Sequence, residues 1–410
     1  IDTAKTSSGL TVVTARRPGV SAVAWLGFRG GYADATPPLL VELALRTRPD
    51  ARRAPTLQML PARGATRDLS FDTIEFRPAR LNEALALLFA KATTMVSDWP
   101  ARDDLARLLA PVAAAEVADQ KKADGAFWRA LFGNHRDARL VSTADLDGVT
   151  RSDVDAWIGR VHNVRNAALV VVGDVDPALV KRAAEVLSKE NGRPAWVAEI
   201  STPRPPPVRP AGAERVVAVV TPRATTLIDL RVGCLLPTMT TASRAADELL
   251  ASAMEARLND AIRIEQGDGY GVNVSVQRLR DGATYLGLST FVPEQSLTRT
   301  LSVLHSHWRR WGQGGFDASE VNVGRWRGAG AYAAAVSNPN ALAMELLDRW
   351  SADPAAVGSA PLRPDLAGTG ASRLNELFAT CRANTVLGLT GDEAHIQRAL
   401  DQSWPTVAKP

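Results

Sequence analysis

The chain has 410 residues, of which 46% are hydrophobic and 22% charged, and its net charge is +4. This length allows two or three domains with proper cores, and no apolar run approaches the roughly 20 residues that span a membrane. The basic residues are interleaved with acidic ones and form no long block. This distribution argues against the concentrated positive face by which proteins bind nucleic acids, and indicates a solvated surface.

The first half of the chain shows an ordered series of strand and helix patterns. Alternating or continuous β-branched runs indicate strands, and apolar residues spaced three and four apart indicate amphipathic helices. In chain order the segments are the strands LTVVTARR and VSAVAWLGFRGG, the helix PPLLVELALRT, the strand LSFDTIEFRPA, the helix RLNEALALLFAKATT, the strand NAALVVVGDVDP and the helix ALVKRAAEVLSK.

A proline-rich segment, STPRPPPVRPAGAE at residues 201–214, divides the chain almost equally. Proline fixes φ and has no backbone N–H, so this segment predicts an extended, semi-rigid linker. We therefore predict an N-terminal domain at residues 1–200 and a C-terminal domain at residues 215–410.

The second half repeats the order of the first. Its segments are the strands RVVAVVTP and TTLIDLRVGCLLP, the helix TASRAADELLASAMEARLNDAIR, the strand region GVNVSVQRLRDGATYLGLSTF, the helix EQSLTRTLSVLHSHWRRW, and a closing strand, Gly-Asp turn and helix in NTVLGLTGDEAHIQRALDQSW. The repetition predicts a duplicated α+β unit of about 200 residues, with strands and helices in blocks.

Two long stretches resemble the M16 peptidases, the family of pitrilysin, insulinase and the mitochondrial processing peptidase, in its shorter two-domain form. They are SSGLTVVTARRPGVSAVAWLGFRGGYAD at the start and ALFGNHRDARLVSTADLDGVTRSDVDAWIGRVHNVRNAALVVVGDVDP near the end of the first half. The resemblance covers essentially the whole chain. It implies two LuxS/MPP-like metallohydrolase domains, each an antiparallel sheet with helices, joined by the proline-rich linker.

Active M16 members carry a zinc motif, H-x-x-E-H, on the first helix after the opening hairpin. The matching stretch here is LLVEL, residues 39–43, so that Leu39 and Leu43 stand where the zinc-binding histidines would be. The resemblance assigns Glu42 to the motif acid and Glu116 to the acid of a later helix. Zinc prefers nitrogen or sulfur ligands, which predicts no metal in this chain. Glu42 is then a solvated relic or the partner of an Arg; the other reading is a different metal bound by both acids.

The second half retains a different part of the family's site. The segment RIEQGDGYGV matches the pattern R-x-x-x-G-x-x-Y through Arg263, Gly267 and Tyr270. The resemblance implies that Arg263 and Tyr270 bind the substrate backbone and stabilise the oxyanion, a role suited to a permanent cation and a phenol donor. It also implies that Gly267, Gly271 and Val272 border a substrate that pairs as an added strand. The alternative is an Arg in a surface ion pair and a half-buried Tyr.

Together these features predict the non-zinc subunit of a heterodimeric M16 zinc metallopeptidase. This subunit would be inactive alone and would supply Arg263 and Tyr270 to a sister subunit that binds zinc and to a peptide substrate. The alternative is a catalytically inactive peptide-binding or scaffold protein. Retained oxyanion donors favour the first, because a scaffold has no use for them.

The cysteines and histidines give weaker indications. Cys234 and Cys381 have no C-x-x-C partner, and we predict that both are small buried residues. His305 and His307 are two positions apart and would point to different sides of a helix, which indicates packing or surface roles. The chain begins at Ile1, which a cleaved signal peptide would explain, so a periplasmic or secreted location is suspected, and a cytoplasmic one stays open.

Overall fold

The computed structural model describes residues 1–19, 21–48, 60–94, 96, 99–117, 119–133, 135, 139–190, 215–220, 227–240, 243–265, 267, 271–279, 284–355, 357–358 and 365–404. The strands are Asp2–Lys5 (β1), Thr11–Arg16 (β2), Ala22–Arg29 (β3), Leu60–Ala65 (β4), Leu69–Phe76 (β5), Ala167–Gly173 (β6), Arg215–Val220 (β7), Leu227–Leu236 (β8), Asn273–Arg278 (β9), Thr284–Pro293 (β10) and Val386–Gly391 (β11).

The helices alternate with these strands in blocks, as an α+β fold requires. They are Leu39–Thr47 (α1), Leu81–Thr93 (α2), Arg102–Val117 (α3), Asp119–Phe132 (α4), Arg151–Val161 (α5), Pro177–Glu190 (α6), Arg244–Asn259 (α7), Leu297–Gly314 (α8), Ala318–Ser337 (α9), Pro339–Ala352 (α10), Ala371–Arg382 (α11) and Glu393–Ser403 (α12). In the described part of the chain, no helix is long and apolar enough to cross a membrane.

The strand order of the five-stranded sheet repeats that of the six-stranded sheet without its first strand, which confirms the predicted α+β duplication. One has the order β1-β2-β6-β3-β5-β4 and the other the order β7-β11-β8-β10-β9. Each is antiparallel except for one parallel pair, β2 with β6 and β7 with β11. The last strand of each half therefore inserts beside its first long strand. The prediction of an antiparallel sheet with helices is confirmed in its main features, and it did not include this parallel pair. The short strands β1 and β4 were not predicted.

The chain folds into two compact units, each of which takes one helix from the other half of the sequence. Unit 1 comprises Ile1–Ala114, Leu140–Pro203 and Ala334–Ala360, and unit 2 comprises Ala115–Arg139, Arg204–Ala333 and Pro361–Pro410. Thus α10 packs in unit 1 and α4 in unit 2. The units are discontinuous in sequence, unlike the contiguous domains 1–200 and 215–410 that we predicted. The linker 201–214 lies outside the described residues, and its boundary stays a prediction.

Strand glycines lie where α10 and α4 pack against the sheets of their units. A Cβ atom at Gly27 of β3 would lie 2.4 Å from both δ-carbons of Leu347 on α10. In unit 2, a Cβ at Gly233 of β8 would lie 2.6 Å from Cζ of Phe127 on α4, and one at Gly388 of β11 would lie 2.9 Å from Cδ2 of the same ring. Both helices therefore pack closely over strand glycines, where a β-carbon would require Leu347 or Phe127 to shift.

A buried charged cluster stabilises unit 1 where α1 and α2 end. The carboxylate of Asp72 on β5 is fully buried and lies 2.9 Å from Nε of Arg63, 3.7 Å from Nη2 of Arg48 and 3.9 Å from Nζ of Lys91. Arg48 also donates hydrogen bonds of 3.0 Å to Nδ1 of the buried His162 and 2.9 Å to a carbonyl of α2. The cations thus contact Asp72 and the negative ends of helices.

A disulfide joins Cys234 on β8 to Cys381 on α11 in unit 2. Both residues are fully buried, as predicted, but they are bonded to each other, so the prediction of two small apolar residues was wrong. The bond spans 147 positions in sequence, and such a pairing cannot be read from cysteine spacing.

Asp247 on α7 gives unit 2 a pH-dependent stability. Burial of its side chain, which is 1% exposed, raises the pKa of Asp247 to about 7, although the hydroxyl of Ser243 donates a 3.3 Å hydrogen bond to it. A carboxyl group with a raised pKa stabilises the fold at low pH, and this contribution is lost as the pH rises from about 4 to about 7.

We expect Asp247→Asn to raise the free energy of unfolding at pH 8 by roughly 2 to 4 kcal/mol, because the amide resembles the protonated acid. Urea unfolding between pH 5 and pH 8 would measure this. The free energy of unfolding of the wild type should fall across that pH range more steeply than that of Asp247→Asn. The control is Asp103→Asn, on the exposed first turn of α3, whose free energy of unfolding should fall as steeply as that of the wild type. Equal slopes for wild type and Asp247→Asn would contradict the prediction.

Candidate functional site

Helix α1 carries the stretch LLVEL that resembles the zinc motif, with leucine at both histidine positions. Leu39 and Leu43 of α1 are both 0% exposed and lie in the apolar core of unit 1. The carboxylate between them is fully engaged. Tyr32 donates a 2.6 Å hydrogen bond to Oε1 of Glu42, and Arg46 donates one of 2.8 Å to Oε2. Of the alternatives for Glu42, the structure supports the acid paired with an Arg.

Tyr32 was not identified from the sequence. Its burial, together with the hydrogen bond to Glu42, raises the pKa of Tyr32 above its ordinary value, so the phenol remains a donor. A phenol from the turn before α1 and a guanidinium one helical turn after Glu42 thus hold the carboxylate in place. The charge of Glu42 is balanced locally by Arg46.

Glu116 is half-buried near the end of α3, in the segment of the chain that belongs to unit 2, whereas Glu42 belongs to unit 1. Among the residues that the structure describes, no group of three or more His, Cys, Asp or Glu could hold a metal ion. His305 and His307 have packing roles. The first stacks on Trp404 at 4.8 Å between ring centroids, and the second is buried against Trp311.

Arg263 lies on a π-helical turn that continues α7. This turn spans Asp260–Glu265, and π-helical turns occur often at functional sites. The Arg263 side chain is exposed, and it forms no hydrogen bond or ion pair with the described residues. The alternative of an Arg held in a surface ion pair is therefore not observed in this part of the chain.

The glycines after Arg263 have conformations that side chains rarely adopt. Gly267 has φ +68° and Gly271 has φ +116°. A positive φ costs glycine little and costs other residues strain, which explains glycine at both positions. Tyr270 lies outside the described residues, so its placement stays a prediction.

Asn259, at the end of α7, anchors the chain where it leaves this loop. Its amide accepts a 2.8 Å hydrogen bond from the backbone N–H of Val272 and donates one of 2.7 Å to the carbonyl of the same residue. Glu255, one turn earlier, accepts from the N–H of Val274 at 3.1 Å, and Thr290 donates to the carbonyl of Gly271 at 2.8 Å. The sequence analysis did not identify these positioning residues. An Asn at the end of a predicted helix is a signal that could have identified Asn259.

Strand β9 follows this anchor and lies at the edge of its sheet, where it pairs with β10 alone among the described strands. Asn273, Ser275 and Gln277 are exposed and alternate with more buried residues. An edge strand offers backbone groups to an added strand, so β9 could pair with an extended peptide. The role of Gly267, Gly271 and Val272 in substrate binding stays a prediction.

Part of the sequence matches a family model, and the fold is similar to that of solved structures. Residues 148–327 match the family model described as Peptidase M16 inactive domain. A peptidase M16 inactive domain from Pseudomonas fluorescens superposes with a TM-score of 0.77 at 17% identity, covering 95% of this chain and 98% of that one. A protease from Helicobacter pylori gives 0.78 at 13% identity, with 95% and 98% covered.

A chain of Complex III2 from Candida albicans gives a TM-score of 0.74 at 14% identity, covering 98% of this chain and 96% of that one. Identities this low show a shared fold and carry no activity from one protein to another. No curated protein matches the sequence.

Proposed function

We propose that the chain is the non-zinc subunit of a heterodimeric M16 zinc metallopeptidase. The match of residues 148–327 to the Peptidase M16 inactive domain and the likeness in fold to M16 proteins support this proposal. In this proposal the sister subunit binds zinc and activates water. This chain supplies Arg263 and Tyr270, which bind the substrate backbone and stabilise the oxyanion. Zinc is expected in the sister subunit and no cofactor in this one.

One observation carries the proposal, namely the contrast between the two parts of the family's site. The zinc helix presents Leu39 and Leu43, both fully buried, whereas the exposed Arg263 has no partner among the described residues. A guanidinium can point two donors at developing negative charge, so its retention suits a site completed by another chain. The anchor at Asn259 supports this, because it fixes the loop and the edge strand that follows.

The Cys234–Cys381 disulfide supports a periplasmic or secreted location for this complex, because disulfides persist in oxidising compartments.

The test is peptidase activity of the chain alone and mixed with the zinc-bearing M16 relative from the same organism. We expect activity only in the mixture. Arg263→Ala and Tyr270→Phe should each lower kcat/KM about 100-fold, as for lost oxyanion donors. The matched control is Arg309→Ala, an exposed Arg on α8, which should leave kcat/KM unchanged.

Two outcomes would contradict the proposal. If the mixture is active but indifferent to both substitutions, the chain acts as the peptide-binding or scaffold protein of the alternative. The likeness in fold to a chain of Complex III2 makes that alternative worth testing. Zinc-dependent activity of the chain alone would contradict both.

A further inference from the structure

Three large apolar side chains are exposed on neighbouring elements of unit 2. Ile264 is 72% exposed on the π-helical turn, and Val323 and Trp326 are 41% and 80% exposed on α9. Side chains of this size are normally at least half buried, and exposed tryptophan is enriched at binding surfaces. We call Ile264, Val323 and Trp326 the apolar patch.

An ion pair joins the two elements that carry the apolar patch, which are the π-helical turn and α9. Nη2 of Arg327 on α9 lies 3.8 Å from Oδ1 of Asp260 on the π-helical turn. Val323 is one helical turn before Arg327, and Ile264 is about one turn after Asp260. Apolar side chains therefore border this ion pair from both elements.

The helix α9 presents Trp326 away from its own core. A Cβ atom at Gly324 would lie 2.9 Å from Ala253, so this side of α9 is in close contact with α7. Trp326 is two positions further, about 200° around the helix, and it therefore points outward. Its exposure follows from the helix register rather than from a loose end of the chain.

The charges around the apolar patch define what could bind there. Asp260 and Arg327 neutralise each other, whereas Arg263, directly before Ile264, has no ion-pair partner among the described residues. The surface therefore combines apolar area with the exposed guanidinium of Arg263. A peptide that brings a large apolar side chain and backbone carbonyl groups, which accept hydrogen bonds from a guanidinium, would satisfy both.

We propose that the apolar patch binds a large apolar side chain of the peptide whose backbone Arg263 contacts, so that the preferred peptides carry an aromatic or aliphatic residue at that position. This inference rests on the proposed function and names its substrate class. Trp326 is a specificity-determining residue here, separate from the catalytic pair Arg263 and Tyr270.

The experiment is fluorescence anisotropy of labelled ten-residue peptides that differ at one position, either Phe or Ser. With the purified full chain, the Phe peptide should bind more tightly. Trp326→Ala should weaken the Phe peptide about tenfold, which is the effect of losing one buried aromatic contact, and leave the Ser peptide unchanged. The matched control is Leu179→Ala, which removes a side chain that is 46% exposed on α6 of unit 1 and should change neither affinity.

Several results would overturn the inference. They are equal affinities of the wild type for the two peptides, an equal effect of Trp326→Ala on both, or no effect on either. Sedimentation that shows a dimer lost in Trp326→Ala would identify the patch as a contact between copies, which also overturns it. Failure of the proposed function is recognised separately, because Arg263→Ala would then leave turnover in the mixture unchanged whatever the anisotropy shows.

Discussion

Asp72→Asn is expected to lower the free energy of unfolding by about 3 to 5 kcal/mol, because it removes the negative member of a buried charged cluster. The substitution keeps the shape of the side chain and removes its charge. Arg63, Arg48 and Lys91 all approach the Asp72 carboxylate, and their side chains are at most 6% exposed. Water cannot replace the lost charge at a site this buried.

The loss of stability in Asp72→Asn should be greatest at the ends of α1 and α2. Arg63 donates to the carbonyl of Leu45 at 3.2 Å and to that of Lys91 at 3.3 Å, so the cluster also holds the last carbonyls of both helices. Hydrogen–deuterium exchange should therefore accelerate in α1, α2 and β5. Urea unfolding would give the free energy.

The matched control is Asp147→Asn. Asp147 pairs with Arg102, but the two side chains are 67% and 74% exposed. A solvated pair of this kind contributes at most about 1 kcal/mol. Equal losses in the two variants would show that the buried cluster contributes no more than a surface ion pair.

The duplication could be predicted from the sequence, because the order of strand and helix patterns is a local property that occurs twice. The exchange of α10 and α4 could not. An amphipathic pattern states which face of a helix is buried, not which sheet buries it. The contact of Gly27 with Leu347 depends on two positions far apart in the chain, and no local signal links them. The same holds for Arg48, Arg63 and Lys91, which look like ordinary surface charges in sequence.

Some features of the candidate site could likewise be predicted from the sequence, and others could not. That leucine stands at both histidine positions of the motif that LLVEL resembles can be read from the letters, and the structure adds that Leu39 and Leu43 are buried in the core of unit 1. The hydrogen bonds of Asn259 to Val272 were not predictable from the sequence. They join the end of a helix to a residue 13 positions later, and the sequence does not show how the intervening loop folds back. Glycine at 267 and 271 was identified by resemblance, and the positive φ values supply the physical reason.

The replacement of both Cys234 and Cys381 by Ala is expected to lower the free energy of unfolding by about 5 kcal/mol. A cross-link restricts the unfolded chain, and the effect grows with the length of the closed loop, here a sequence separation of 147. Both residues are fully buried between β8 and α11, and alanine leaves no buried polar group there.

Urea unfolding of the double variant would measure this loss, and the wild type unfolded and refolded with a reductant present is the control. The reduced wild type should unfold at a urea concentration close to that of the variant. Because no part of the bond is accessible in the native state, the native wild type should keep its disulfide when reductant is added without urea. Two free thiols in protein purified from an oxidising compartment would contradict the pairing, and with it the support that the disulfide gives to a periplasmic or secreted location.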